Sequence, residues 1–276
     1  VQVGSLTDWQ SAACGNSHVI AIKTDGTLWS WGYGYHGQLG LGNGDYRSSP
    51  VQVGSLTDWE SVSCGWYYTI AIKTNGTLWS WGQNDHGQLG LGDTTNKYSP
   101  IQVGSLTDWQ NVSCGRYHTV AVKTDGTLWS WGRNDHGQLG LGDTIDRSSP
   151  VQIGSLTDWE SVSCGYNYTI AIKTDGSLWS WGDNAVGQLG LNDRDYKSSP
   201  VQVGSLTDWE SVSCGYYHNL AIKTNNTLWS WGRNDHGQLG LGDAINRSSP
   251  VQVGSLTDWF KLIIQNNGDT SHVMKI

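Results

Sequence analysis

The sequence predicts an all-β protein, a β-propeller built from repeats of about fifty residues, and three observations predict it. First, the segment "TDGTLWSWG" at 24–32 returns in near copy at 74–82, 124–132, 174–182 and 224–232. Second, Pro50, Pro100, Pro150, Pro200 and Pro250 close five units of equal length, and "VQVGSLTDW" at 251–259 opens a sixth that then diverges. Third, Gly (37) and Trp (17) are abundant beside Thr, Val and Ile, and no window carries a helical period. The expected organisation is one propeller domain with five full blades, 9–58, 59–108, 109–158, 159–208 and 209–258, and a degraded partial unit at 259–276.

Unit 59–108 stands for the others. "WESVSCG" (59–65) alternates and ends in Gly, which predicts a first strand, A. "YTIAIK" (68–73) is rich in β-branched residues and gives strand B. "TNG" (74–76) is a tight hairpin turn, and "TLWSWG" (77–82) is strand C. A Gly-rich stretch follows, after which "PIQVG" (100–104) can form a short fourth strand, with Pro at its start where no ladder donor is lost. In strand C, residues two apart share a face, so Trp79 and Trp81 project together while Leu78 and Ser80 project the other way. A blade is covered on both sides by its neighbours. The paired indoles are therefore expected to press against a small-residue face of the next blade. Two indoles bury roughly 300–500 Å². That is worth on the order of 8–12 kcal/mol per blade as an upper bound, most of it offset by chain entropy.

Several function classes are disfavoured by composition and motif. The net charge of −8 repels phosphate backbones and argues against nucleic acid as a partner. No apolar run approaches the roughly 20 residues of a membrane span, so no membrane partner is expected. The five cysteines, Cys14, Cys64, Cys114, Cys164 and Cys214, fall one per unit, a poor disulfide framework; they read as small buried strand residues and fix no redox compartment. "GQLGLG" lacks the Lys and following helix of a phosphate loop. Asp85-His86, Asp135-His136 and Asp235-His236 lie a blade apart, too far to share one metal ion, and the "GDTTNK" and "GDTIDR" loops lack the acidic spacing of a calcium loop. No Gly-x-Ser-x-Gly elbow or His-Glu-x-x-His site occurs. An enzyme needs a unique constellation, and this chain is nearly periodic. It is read as a non-enzyme without catalytic residues, metal or cofactor.

"VSCGRYHTVAV" (112–122) followed by "DGTLWSWGRNDHGQLGLGD" (125–143) resembles the regulator-of-chromosome-condensation repeat family. The Cys-Gly-x-x-His, Asp-Gly-x-Leu-Trp-x-Trp-Gly and Gly-Gln-Leu-Gly segments occur in order and in phase from about residue 9 to 250, with a degraded copy beyond. The resemblance implies a propeller, usually of seven blades. The chain is accordingly expected to belong to a longer array, or to close its ring by another pairing. Departures are Tyr68 and Tyr168 where His18, His118 and His218 stand, Asn226 in place of the turn Gly, and Val186 in place of a His. The family's namesake activity, guanine-nucleotide exchange on a small GTPase, uses an inserted wedge and a basic tail; equal unit lengths and the absence of a basic tail argue against it. The plant UV-B receptor shares the repeat and carries Gly-Trp-Arg-His-Thr segments. Here only Gly65-Trp66-Tyr67-Tyr68-Thr69 holds a Trp and none pairs Trp with Arg, which argues against UV sensing. A secreted β-lactamase inhibitor with a similar propeller shows that the family includes pure protein binders.

The copies differ most in three places: the A–B turn, the residues after strand C, and the segment before the Pro (43–47 and its equivalents). With strands running up, down and up, the first two emerge on one face, while the near-identical Thr-Asp-Gly turns occupy the other. The candidate binding residues are Ser17, His18, Trp66, Tyr67, Tyr68, Arg116, Tyr117, His118, Tyr166, Asn167, Tyr168, Tyr216, Tyr217 and His218 from the turns, with Tyr33, Tyr35, Arg133 and Arg233 after strand C. Unconstrained turns drift towards Ser, Asn, Asp and Gly, whereas these are aromatic. Rigid aromatics among adaptable polar groups suit a protein or glycan ligand. Near-identical copies with varied turns fit a bacterial or phage surface component, extracellular or on a virion rather than nuclear, and fit assembly into a larger complex.

Overall fold

The structure, a computed structural model, describes residues 7–264 and 271–275. Five sheets of four antiparallel strands follow one another, each drawn from one unit. They are β1 (Trp9–Cys14), β2 (His18–Lys23), β3 (Leu28–Gly32) and β4 (Arg47–Gln52); β5 (Trp59–Cys64), β6 (Tyr68–Lys73), β7 (Leu78–Gly82) and β8 (Lys97–Gln102); β9 (Trp109–Cys114), β10 (His118–Lys123), β11 (Leu128–Gly132) and β12 (Arg147–Gln152); β13 (Trp159–Cys164), β14 (Tyr168–Lys173), β15 (Leu178–Gly182) and β16 (Lys197–Gln202); β17 (Trp209–Cys214), β18 (His218–Lys223), β19 (Leu228–Gly232) and β20 (Arg247–Gln252). A two-stranded sheet, β21 (Trp259–Ile264) and β22 (Ser271–Lys275), follows as a partial sixth blade. Among the described residues there is no α-helix. Of the degraded unit expected at 259–276, residues 265–270 and 276 lie outside them.

Within each sheet the strands pair in sequence order, and the first strands of successive sheets lie side by side. Strand A is thus innermost and the fourth strand forms the outer edge. The inner strands are joined crosswise: the Cys114, Cys164 and Cys214 amides donate to the Ser63, Ser113 and Ser163 hydroxyls at 3.1, 2.9 and 3.0 Å. The five cysteines form no disulfide, and burial pushes the Cys114 and Cys214 thiols up to about 12, so these two are inert packing groups.

Two expectations need correction. The fourth strand starts three residues before the Pro, at Lys97, and Pro100 lies inside β8. The pairing Ser80↔Ile101 then Gly82↔Lys97 contains a bulge, and Pro is tolerated there on an outer edge strand. The indole pair is also unequal. Trp81, Trp131, Trp181 and Trp231 are fully buried, whereas Trp79 and its mates are half-buried. The opposing face is the preceding blade's, and it is aliphatic: Ile20, Ile22, Leu28 and Val53 pack on Trp59, Cys64, Ala71 and Trp81. Room for the ring comes from one glycine. A Cβ on Gly90 would stand 2.8 Å from Trp131 Nε1.

Each buried indole also donates a hydrogen bond to the preceding blade. Trp81, Trp131, Trp181 and Trp231 Nε1 reach the Gln38, Gln88, Gln138 and Gln188 carbonyls at 3.0, 2.9, 2.9 and 3.0 Å. The "GQLG" segment is therefore a blade-to-blade acceptor. The first indole of each pair instead covers a buried lysine. Lys73 Nζ lies 4.5 Å from the Trp79 ring and 4.8 Å from that of Trp59, and is paired with Asp58 at 3.2 Å. The same arrangement recurs at Lys23, Lys123, Lys173 and Lys223.

Candidate functional site

The A–B turns and the segments after strand C meet at one end of every blade. Backbone bonds clamp them together: Tyr33, Gln83, Arg133, Asp183 and Arg233 N–H donate to the Ser17, Tyr67, Tyr117, Asn167 and Tyr217 carbonyls at 2.7–2.9 Å. The third varying segment joins them, because the Tyr46 ring lies 4.9 Å from that of Tyr33 and His86 reaches Asp146 at 3.1 Å. All three varying segments therefore share one face.

Around the axis the turn tips are linked through their main chains. Asn16 N–H donates to the Trp66 carbonyl, Trp66 to Arg116, Arg116 to Tyr166 and Tyr166 to Tyr216, at 3.1–3.3 Å. Side chains then cross the axis: Trp66 Nε1 donates to the Tyr216 hydroxyl at 3.2 Å, joining the second and fifth blades. Trp66 meets Tyr166 edge-on at 5.7 Å. Arg116 stacks on Trp66 at 3.9 Å. Sequence reading within each turn missed this contact, because the two residues are a whole unit apart.

Aromatic rings form a continuous strip over this face. The steps are Tyr46–Tyr33 at 4.9 Å, Tyr33–Tyr67 at 5.6 Å, Tyr67–Trp66 at 5.6 Å, Trp66–Tyr166 at 5.7 Å and Tyr166–Tyr217 at 5.3 Å. Tyr216 and Tyr117 flank it, and His36 and His86 stack on Tyr67 and Tyr117 at 5.1 and 5.2 Å. Burial of the hydroxyls, with neighbouring Tyr166 and Asp183, pushes Tyr217 up to about 12; Tyr33, Tyr117 and Tyr166 move the same way, chiefly through desolvation. These phenols are O–H donors at neutral pH. Tyr35 and Tyr46 are largely exposed, and Ser17 is exposed at the rim. Arg133 and Arg233 lie there too, paired with Asp135 and Asp235.

Six candidates leave this surface. His18, Tyr68, His118, Tyr168 and His218 are buried, and so is Asn167. Each of the five opens strand B rather than ending the turn, so its side chain points into the next blade. His18 and His118 Nε2 lie 3.2 and 3.1 Å from the Thr69 and Thr169 hydroxyls. The Tyr168 hydroxyl donates into a set formed by the Gly215 and His218 carbonyls and Asn219 Oδ1, at 2.9–3.1 Å. Burial pushes His18 and His118 down to about 3, so both are neutral. A signal was present: this position is always a large ring with a polar tip, three residues past a Gly. A Cβ on Gly65 would stand 1.9 Å from the Tyr68 ring. Conversely, Tyr46, Tyr196, His36 and His86 were missed; His136 stacks on Tyr196 at 5.3 Å. Their varying segments were visible in sequence, but the return of 43–47 to this face was not.

The far ends of the blades carry repeated apolar grooves of about 300–740 Å³, one lined by Leu41, Leu56, Trp59, Trp79 and Pro100 and the others by their repeat equivalents. Among the described residues no cluster of His, Cys, Asp and Glu could hold a metal ion.

The sequence model of the RCC1-like domain matches residues 2–168, and models of the regulator of chromosome condensation (RCC1) repeat match 175–222 and 225–263. The chain belongs to the RCC1 family. As an RCC1-like propeller it resembles the crystal structure of human WBSCR16, at 21% identity over 96% of this chain and 71% of that one, with a TM-score of 0.84. It also resembles yeast RCC1 (Prp20) in a structure with Kap60 bound, at 19% identity over 93% of this chain and 77% of that one, TM-score 0.72. A second structure, of Prp20p from Saccharomyces cerevisiae, studied with its binding to Gsp1p and histones, matches at 18% identity over 97% and 83%, TM-score 0.70. At these identities the structural likenesses speak to the propeller fold.

Proposed function

We propose that this RCC1-like propeller is a non-enzymatic binding module that presents the face of its A–B turns to a protein or glycan. The observation that carries the reading is the unbroken strip of rings from Tyr46 through Tyr33, Tyr67, Trp66 and Tyr166 to Tyr217, all drawn from segments that differ between copies. Such rings offer large contact area at small entropic cost, with hydroxyl and imidazole groups to orient a partner. A protein partner is favoured because yeast RCC1 was studied with Kap60, Gsp1p and histones. Placement on a bacterial or phage surface rests on the near-identity of the copies outside these segments. The test is capture of partner from candidate extracts and on a glycan array. Replacing Trp66, Tyr67, Tyr117 and Tyr217 together by Ala should abolish capture, while Leu106→Ala with Leu156→Ala at the opposite ends should not. Undiminished capture by the first variant rejects the reading.

Exchange activity on a small GTPase is the alternative that the family name raises. Every complete blade has the same four strands without an inserted hairpin. Nucleotide-release assays on candidate GTPases should therefore show no acceleration; acceleration would favour the alternative.

A further inference from the structure

We propose that Arg116 is the anchor for a single carboxylate, the Asp or Glu side chain of an otherwise apolar segment on a protein partner; this rests on the binding face proposed above. The guanidinium carbon lies 3.9, 4.5 and 4.7 Å from the ring centroids of Trp66, Tyr166 and Tyr117. Three rings attract the cation through their quadrupoles, but a π-face cannot saturate five N–H donors. Arg116 Nε is out of reach of solvent and has no hydrogen-bond acceptor. Among the described residues no carboxylate lies within the 4.0 Å of an ion pair with Arg116, whereas its neighbours on the face, Arg133 and Arg233, are neutralised by Asp135 and Asp235.

A half-buried cation without a counter-charge is costly, and here it is held at the axis, where the turns converge. The stacking fixes the long side chain before any partner arrives, so little rotamer freedom remains to be lost on binding. The planar guanidinium fork matches the two oxygens of a carboxylate. The surrounding phenols stay protonated and add donors without adding negative charge. Polyanions fit poorly. Asp85 and Asp183 follow strand C around the same rim, and the whole chain carries −8. One carboxylate with apolar flanks satisfies both the lone cation and the aromatic strip.

The experiment selects short random peptides, displayed on phage, against the full chain, and measures the enriched peptides by fluorescence anisotropy. Enriched peptides are expected to carry Asp or Glu among apolar residues. Changing that residue to Asn or Gln should weaken binding to the wild type about tenfold or more. Arg116→Gln should bind acid and amide peptides alike, at the weaker level, and Arg116→Lys, which keeps charge but loses the fork, should recover only part. On the unaltered protein, the acidic peptide should move the Arg116 Nε–H resonance and its amide should not. Enrichment without acidic residues, or equal affinity for acid and amide peptides on the wild type, overturns the carboxylate assignment. If those peptides still lose affinity on Tyr217→Ala, the binding face stands and only the role of Arg116 falls. A selection that enriches nothing overturns both.

Discussion

His118 is wholly enclosed by two sheets and spends its Nε2 on the Thr169 hydroxyl, leaving no room for a charged ring. In the folded chain it and His18 titrate at about 3. An unfolded histidine titrates near ~6.5. Between these values the unfolded chain binds the extra proton, so their contribution is complete above about pH 6.5 and is lost as pH falls towards 3. The loss is at most about 1.4 kcal/mol per pH unit for each histidine. His118→Tyr, which copies the residue at 168, should flatten this acid dependence in denaturant titrations at neutral and mildly acidic pH. An unchanged slope would contradict neutral burial. Lys73 makes a second residue-scale case. Its ammonium is buried against two indoles while Asp58 keeps water, so Lys73→Met should cost about 1–2 kcal/mol in urea unfolding, chiefly through the lost cation–π contacts. A change of only a few tenths would show the rings to be passive. Neither role was legible from sequence. A His or Tyr beside a turn reads as surface until the strand is known to start there, and a Lys at a strand end reads as solvated.

At the scale of the element, the strand-C tryptophans carry unequal loads. Trp131 is fully enclosed and donates to the Gln88 carbonyl, whereas Trp129 is half-buried beside Lys123. Trp131→Ala should therefore destabilise by about 3–5 kcal/mol, and Trp129→Ala by clearly less. Equal losses in chemical denaturation would show that the blade junction does not depend on the inner indole. The first three strands of a blade were legible because alternation, the Asn-Gly or Asp-Gly turn and the repeated Trp-Ser-Trp are local signals. The start of β8 was not, because its pairing passes through a bulge opposite Trp81, and a bulge is decided by the partner strand. The joining face was half legible. Period two puts both indoles on one side, but only the neighbouring sheet decides which of them is covered and by what.

Over the whole molecule, stability is a sum of blade and junction terms, and among the described residues the first blade is covered less than those that follow. Trp31 is half-buried where Trp81, Trp131, Trp181 and Trp231 are enclosed, and β1 is more exposed than β9. Amide hydrogen exchange should accordingly release β1 and β2 before β9 and β10, by at least about tenfold in rate. Uniform protection would mean that the array opens as one unit. Propeller architecture was legible from the period, but the contents of the proposed binding face were only partly so, since Trp66, Arg116 and Tyr216 come from three different units and meet only when the blades curve about an axis. Their meeting rests on a collar of N–H to C=O bonds through Asn16, Trp66, Arg116, Tyr166 and Tyr216, which is indifferent to what each residue carries beyond its backbone. The pole of the propeller is thus a socket plate. Five plugs can be exchanged there without loosening the frame, which makes these positions the natural place for evolution, or a designer, to write a new specificity.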